Sequence, residues 1–76
     1  MNSSKESKQR IQLDMTDTMV TILDSMVRLS GASSRAEVIR RALSLYDALL
    51  REEKAGKRIE IVNPRIRRNG RLILRI

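Results

Sequence analysis

The chain has 76 residues, contains neither Cys nor His, and carries a formal net charge of +7. A chain of this length forms one small domain that buries only about 60% of the surface its unfolded form exposes. The missing residue types exclude disulfides and thiolate or imidazole metal sites, so oligomerisation is the expected source of further stability. Few side chains suit acid-base catalysis, and we expect no enzyme activity, no metal and no cofactor.

The net charge is concentrated at the C-terminal end. Residues 54–76 carry eight basic side chains and one acidic one, whereas the charges of the remaining residues balance. Such a segment favours a polyanionic partner, nucleic acid first and an anionic membrane surface second. No apolar run approaches the roughly 20 residues of a membrane-spanning helix, and residues 1–10 lack the apolar stretch of a signal peptide. We therefore expect a soluble, cytoplasmic protein.

Residues 1–9 lack apolar periodicity and are expected to form a flexible arm. Residues 10–15 (RIQLDM) then alternate strictly between polar and apolar side chains, as a β-strand with one buried face does. A lone strand leaves unpaired backbone groups along both edges, and no partner strand is near it in the sequence. We therefore predict that two copies meet about a twofold axis and pair these segments in an antiparallel ribbon.

The predicted ribbon has two different faces. Its apolar face is expected to pack on the helices and consists of Ile11, Leu13 and Met15. Its polar face points away from them and begins with Arg10 and Gln12. A two-stranded ribbon fits the major groove of DNA, where Arg suits guanine and Gln suits adenine. These two side chains therefore indicate base recognition.

The first helix follows directly. Thr16 or Asp17 is expected to cap its N-terminus through a side-chain oxygen. Apolar residues then recur with a helical period from Met19 to Leu29, which defines one buried face. Gly31 is expected to end the helix in the left-handed conformation.

A second helix is predicted from Ser34 to about Glu53. Ser34 and Glu37 have the spacing of a capping box, in which hydroxyl and carboxylate each accept a hydrogen bond from a backbone amide. The apolar residues between positions 38 and 50 form a stripe too wide for one small neighbour. The helix is therefore expected to pack on its own chain and on another chain at once.

Beyond Gly56 the composition predicts a C-terminal β-hairpin. Two short runs, KRIEIVNP and RLILRI, are separated by Pro64 and by the turn-forming pair Asn69-Gly70. In one possible hairpin, Asn69 and Gly70 form a two-residue turn. In the other, a loop of residues 63–70 joins a strand at residues 58–62 to a strand at residues 71–76. We prefer the second, because it places the apolar residues of both runs on one face.

The predicted elements are, in chain order, a strand, a helix, a glycine turn and a longer helix. This order resembles the ribbon-helix-helix family of bacterial and archaeal DNA-binding proteins, the MetJ/Arc type. The residues that carry the resemblance are RIQLDMT at 10–16 and GASSRAEVIRRALSLYD at 31–47. The resemblance implies a mainly α, intertwined homodimer whose intermolecular antiparallel ribbon enters the major groove of DNA. It also implies that the bound dimer represses transcription. The base contacts that it implies are Arg10, Gln12 and Asp14.

The same resemblance implies a phosphate clamp of backbone amides at the start of the second helix. Its residues here are Ser33, Ser34 and Arg35, and we count Lys8 with them as a phosphate contact. The helix dipole independently supports the clamp, because a helix N-terminus attracts anions and a cation at Arg35 is unfavourable unless a phosphate docks nearby.

We therefore divide the chain into an N-terminal arm (1–9), a ribbon-helix-helix dimerisation and DNA-binding domain (10–53) and a basic, strand-like extension (54–76). The extension is expected to contact DNA non-specifically, or a partner, through Lys57, Arg58, Arg65, Arg67, Arg68 and Arg71. The leading interpretation is a homodimeric, sequence-specific transcriptional repressor that binds double-stranded DNA, with higher-order assembly on DNA left open.

Two other functions stay open at this point. The chain is alternatively the antitoxin of a toxin-antitoxin pair, with the extension bound to a toxin, although antitoxin extensions are often disordered or helical and this one is strand-like. A third interpretation is a dimerisation module that binds no DNA and lies with its basic extension on a membrane. The extension lacks the amphipathic helix typical of membrane surfaces, which argues against that interpretation.

Overall fold

The structure is a computed structural model and describes residues 7–65 and 71–76. Two helices are followed by two short strands: α1 is Asp17–Ser30, α2 is Arg35–Lys54, β1 is Ile59–Val62 and β2 is Arg71–Leu74. Residues 7–16 lie ahead of α1 in neither a helix nor a strand. Neither helix in these two ranges is long and apolar enough to cross a membrane.

Helix α1 has the two ends that the sequence predicts. The Thr16 hydroxyl oxygen accepts a hydrogen bond from the Met19 amide at 3.2 Å, so Thr16 rather than Asp17 is the capping residue. At the other end Gly31 has a φ of 70°, in the left-handed region where a residue without Cβ has no steric cost. The short connection that follows brings α2 back against α1.

Helix α2 begins at a modified capping box. The Ser34 hydroxyl oxygen accepts from the Glu37 amide at 3.1 Å, as expected. The Glu37 carboxylate accepts instead from the amide of Ser33 at 2.6 Å, one residue before the cap. The helix ends at Lys54, one residue beyond the prediction, and Gly56 follows it with a φ of 90°.

The hydrophobic core of the single chain is very small. Among the described residues only Leu23 of α1 and Val38 of α2 are buried apolar side chains, at 8% and 5% exposure. The chain has an accessible surface of 7600 Å², whereas a compact monomer of this mass exposes about 4,700 Å². Large apolar side chains on the wide stripe of α2 are at least half exposed, namely Leu43, Leu45 and Tyr46. Packing within one chain therefore leaves most of the helical apolar surface in water.

Residues 10–15 differ from the sequence prediction in two respects. They are not assigned as a strand, and Ile11 and Leu13 are 86% and 64% exposed rather than packed on the helices. Only Met15 is half-buried, beside Met19 and Ile22 in the apolar groove between the helices. The physical reason is that strand assignment requires hydrogen bonds to a neighbouring strand, and the predicted neighbour belongs to a second copy.

Strands β1 and β2 pair antiparallel. Ile59 lies opposite Leu74 and Ile61 lies opposite Leu72. This register agrees with the preferred prediction, in which residues 63–70 connect the two strands and the apolar residues of both strands share one face. The Asn69-Gly70 turn lies outside the described residues. Strand β1 contacts α2, so the sheet lies at the C-terminal end of the helical domain.

Candidate nucleic-acid interface

The predicted base-contacting side chains all lie in the exposed segment before α1. Arg10, Gln12 and Asp14 are exposed, and so is Lys8 two residues earlier. Their alternation with Ile11 and Leu13 would place the three polar side chains on one side of an extended chain. The single chain presents these groups to solvent but does not fix their mutual arrangement, because that arrangement requires a paired strand.

The N-terminus of α2 already holds one carboxylate. Glu37 accepts from the backbone amide of Ser33 at 2.6 Å and from its hydroxyl at 3.1 Å. The backbone hydrogen bond from Ser33, followed by the one from its hydroxyl, lowers the pKa of Glu37 below its ordinary value. A phosphate that took the Ser33 amide would therefore have to displace Glu37.

Three further amides at this helix end can receive an anion. No acceptor within residues 7–65 and 71–76 bonds the backbone amides of Ser34, Arg35 or Ala36. They belong to the first turn, where a helix has no partners for its own amides, and they lie at the positive end of the helix dipole. These amides are the backbone donors that an anion at this helix end would meet.

Arg35 is bound by an acidic residue that the sequence analysis did not single out. Its guanidinium donates to Asp24 of α1 through Nε at 2.7 Å and through Nη2 at 3.0 Å, a bidentate ion pair. The hydrogen bond from Arg35 lowers the pKa of Asp24, and the same bond raises the pKa of Arg35. The cation at this helix end is thus balanced within the chain, and the argument that only a phosphate could balance it is wrong. A phosphate contact by Arg35 stays a prediction.

Arg41 is a second residue missed from sequence. One of its guanidinium nitrogens donates to the carbonyl oxygen of Ser30, the last residue of α1, at 3.4 Å. The other lies 3.5 Å from the Glu37 carboxylate. Arg41 therefore connects the C-terminal end of α1 to the Glu37 carboxylate in the first turn of α2. The only sequence signal was its position four residues after Glu37, which suits a helical ion pair.

The basic extension is partly neutralised by its own carboxylates. Lys57 pairs with Glu52 at 2.8 Å. Glu60 lies between two arginines, 3.3 Å from Arg58 and 3.7 Å from Arg71. These cations are well exposed, and exposed pairs are worth only about 0–1 kcal/mol, so a phosphate can compete for them.

The other three cations predicted in the extension are placed only in part. Arg65 is exposed, and its backbone amide donates to the side-chain oxygen of Asn63 at 3.0 Å, which closes a turn around Pro64. Arg67 and Arg68 lie outside the described residues.

The comparison with known proteins agrees with this arrangement of helices. A family model described as "Ribbon-helix-helix protein, copG family" matches residues 9–52. The match covers more than half of the chain and includes the exposed segment, α1 and nearly all of α2, and the chain therefore belongs to the ribbon-helix-helix family. Proteins of this family bind DNA and form dimers. No curated protein and no solved structure shows a significant match to the chain.

Proposed function

We propose that the protein is a homodimeric, sequence-specific transcriptional repressor that reads the major groove of its operator with a ribbon built from two copies of residues 10–15. The observation that carries the proposal is the exposed, alternating segment ahead of α1, within the region that the family model matches. Its outward groups, Arg10 and Gln12, are two of the side chains best suited to bidentate contacts with base edges.

The helices support the dimer that this ribbon requires. The apolar stripe of α2 is largely uncovered in the single chain, with Leu43, Leu45 and Tyr46 exposed. A second copy can cover this surface and supply the missing strand in the same association. In the resulting dimer, the first turn of each α2 offers the amides of Ser34, Arg35 and Ala36 to a phosphate beside the groove.

The proposal for the extension is a hairpin formed by β1 and β2 that adds phosphate contacts without choosing sequence. Cationic side chains neutralise phosphates, but a segment with no aromatic residue offers bases nothing to stack on. The six residues proposed for this role are Lys57, Arg58, Arg65, Arg67, Arg68 and Arg71.

Selection of a binding site from random duplexes tests the proposed function. We expect one enriched, twofold-symmetric sequence in wild type. Gln12→Ala is expected to relax the preference at one base pair in each half-site, since a bidentate pair discriminates by about 1–3 kcal/mol. Gln9→Ala is the matched control, because Gln9 is also exposed and precedes the predicted strand. The proposal is overturned if no sequence is enriched, or if the two substitutions have equal effects.

A salt titration tests the extension separately. Arg71→Gln is expected to flatten the slope of log K against log salt by about 0.9 for each phosphate that the protein no longer neutralises. Arg51→Gln removes the same charge from an exposed site on α2 and is expected to leave the slope unchanged. Equal slopes for the two variants would show that Arg71 does not bind a phosphate.

A further inference from the structure

The C-terminal sheet has two chemically different faces. Because Ile59 pairs with Leu74 and Ile61 with Leu72, four apolar side chains share one side; we call Ile59, Ile61, Leu72 and Leu74 the apolar sheet face. The other residues of the two strands point to the opposite side. With the adjoining Arg58 they form the charged sheet face, which consists of Arg58, Glu60, Val62, Arg71 and Ile73.

The apolar sheet face is only partly covered in the single chain. Ile61 and Leu72, which lie opposite each other, are 53% and 56% exposed. A two-stranded sheet is at best marginally stable in water unless a helix or another sheet covers its apolar side. Strand β1 contacts α2, but this contact leaves the centre of the apolar sheet face open. Another surface is needed to complete its burial.

We propose that the apolar sheet face packs against a second copy of this chain, so that the extension is part of the dimer interface. This inference rests on the dimer of the proposed function, but it does not require DNA binding. It assigns to strands β1 and β2 a role that the family match does not reach, because that match ends at residue 52.

Continuity with the helical surface favours a second copy as the occupant. Strand β1 begins five residues after α2 ends and contacts that helix. The sheet therefore adjoins the helix whose exposed residues include Leu43, Leu45 and Tyr46. A partner that covers the stripe of α2 lies beside the sheet as well, and the two surfaces can be buried in one association.

The area that the chain exposes is consistent with an interface of this extent. The single chain has an accessible surface of 7600 Å², about 2,900 Å² more than a compact monomer of this mass. Obligate homodimers bury about 2,000–5,000 Å² in total and resemble a core divided between two chains. Two copies together have an excess of about 5,800 Å², so a homodimer interface of this size can include the sheet together with the helices.

The charges of the sheet argue against an acidic protein or DNA as the occupant. The apolar sheet face contains no ionisable group, whereas the arginines lie on the charged sheet face beside Glu60. A polyanion therefore meets the charged side and leaves the apolar one uncovered. A second copy buries the apolar side while Arg58 and Arg71 stay available to phosphate, so both interactions can exist together.

Two isoleucines of nearly equal exposure provide a matched test. Ile61, on the apolar sheet face, is 53% exposed, and Ile73, on the charged sheet face, is 54% exposed. Threonine keeps the β-branched shape that suits a strand and removes apolar surface. In the full chain, Ile61→Thr is expected to raise the dimer dissociation constant by about tenfold to a hundredfold, since two copies each lose part of a buried side chain. Ile73→Thr is expected to change it by less than about twofold on the same argument.

Sedimentation at several protein concentrations measures these constants. Equal effects of the two substitutions, or no effect of either, overturn the inference. An Ile61→Thr variant that keeps its dimer and loses only a larger assembly also overturns it, because the face then joins one dimer to another. If wild type dimerises and selects DNA but the two variants do not differ, the inference fails and the proposed function stands. If wild type shows no dimer, both fail.

A thiol probe keeps the test decisive if threonine disturbs folding. The chain contains no Cys, so Ile61→Cys and Ile73→Cys each introduce a single reactive group. We expect the thiol at position 61 to react with a maleimide at least about tenfold more slowly than that at position 73 in the dimer, and to lose this protection on dilution. If the thiol at position 61 stays protected in the monomer, the apolar sheet face is covered by its own chain. If the thiols at positions 61 and 73 react equally fast in the dimer, nothing covers the apolar sheet face. Either result overturns the inference.

Discussion

Glu37 is the residue whose ionisation is most closely tied to the start of α2. Hydrogen bonds from Ser33 hold its pKa below the ordinary 4.5. The folded protein therefore binds fewer protons than the unfolded chain, and the stability that Glu37 contributes is present above pH 4.5 and is lost as pH falls through the lowered value. The hydrogen bond from Arg35 lowers the pKa of Asp24 from 3.8, so Asp24 also contributes stability that is lost on acidification.

We predict that Glu37→Gln reduces the acid sensitivity of folding. Urea unfolding between neutral pH and about pH 3 is expected to show a smaller loss of stability in the variant than in wild type, because the group that must take up a proton is gone. Glu53→Gln removes a carboxylate from the last turn of the same helix and serves as the control. If wild type and Glu37→Gln lose stability equally on acidification, the hydrogen bonds from Ser33 do not hold Glu37 ionised in solution.

Asp14 is the least expected of the predicted base contacts, because it brings a negative charge to a polyanion. In an antiparallel ribbon centred on Gln12, Arg10 of one chain lies opposite the Asp14 side chain of the other. An exposed pair of this kind is worth only about 0–1 kcal/mol for stability. Its more effective use is to hold the Arg10 side chain in position before that side chain meets a base.

Asp14→Asn is therefore expected to strengthen binding to random DNA and to broaden the preference at the base that Arg10 contacts. Asp47→Asn removes the same charge from α2 and is expected to do neither. Binding-site selection together with affinity for random duplex measures both effects. A loss confined to one cytosine would instead make Asp14 a direct reader of the cytosine amino group.

The sequence predicted local features of single residues and missed those that depend on tertiary contacts. The roles of Thr16, Ser34 and Gly31 as helix ends follow from side-chain oxygens and backbone freedom, which are properties of the residue and its neighbours. The Asp24–Arg35 pair joins residues on two helices, and no local pattern marks it. For that reason the sequence points to a phosphate as the balancing charge of Arg35, whereas the structure has Asp24 in that role.

At the scale of elements, the first turn of α2 combines a cap with a predicted phosphate site. The Ser34 hydroxyl accepts from the Glu37 amide, while the backbone amides of Ser34, Arg35 and Ala36 stay available to an anion. Substitutions at Ser34 can separate the two roles, since Asn and Asp cap helices about as well as Ser and differ from each other in charge.

Ser34→Ala is expected to lower stability by about 1 kcal/mol, because the Glu37 amide loses its acceptor. Ser34→Asp is expected to keep stability and to weaken DNA binding, because its carboxylate caps the helix beside the predicted phosphate and repels it. Ser34→Asn, with the same shape and no charge, is expected to keep both. Urea unfolding and affinity for the selected operator are measured on all three variants. Equal DNA affinities for the Asp and Asn variants would remove this helix end from the interface.

The elements themselves were predictable to different degrees. The bounds of both helices agree with the apolar period and the capping residues to within one residue, because a helix satisfies its hydrogen bonds within its own segment. The extension allowed two pairings, since a strand depends on residues distant in sequence. The segment at residues 10–15 is predicted to pair with a second copy, and Ile11 and Leu13 stay exposed in the single chain.

At the scale of the whole molecule, the small core predicts that folding and dimerisation are one process. Only Leu23 and Val38 are buried apolar residues among those described, which is too little to fold a chain that must offset its conformational entropy. Unfolding of a dimer to two chains depends on protein concentration, and a hundredfold increase stabilises it by about 2.7 kcal/mol. We therefore expect the thermal midpoint to rise by about 5–10 °C over that range. Circular dichroism at the two concentrations measures the shift, with a monomeric protein of similar size as the control. A midpoint that stays constant would show that the single chain folds alone, and the uncovered surfaces of α2 and of the sheet would then need another explanation.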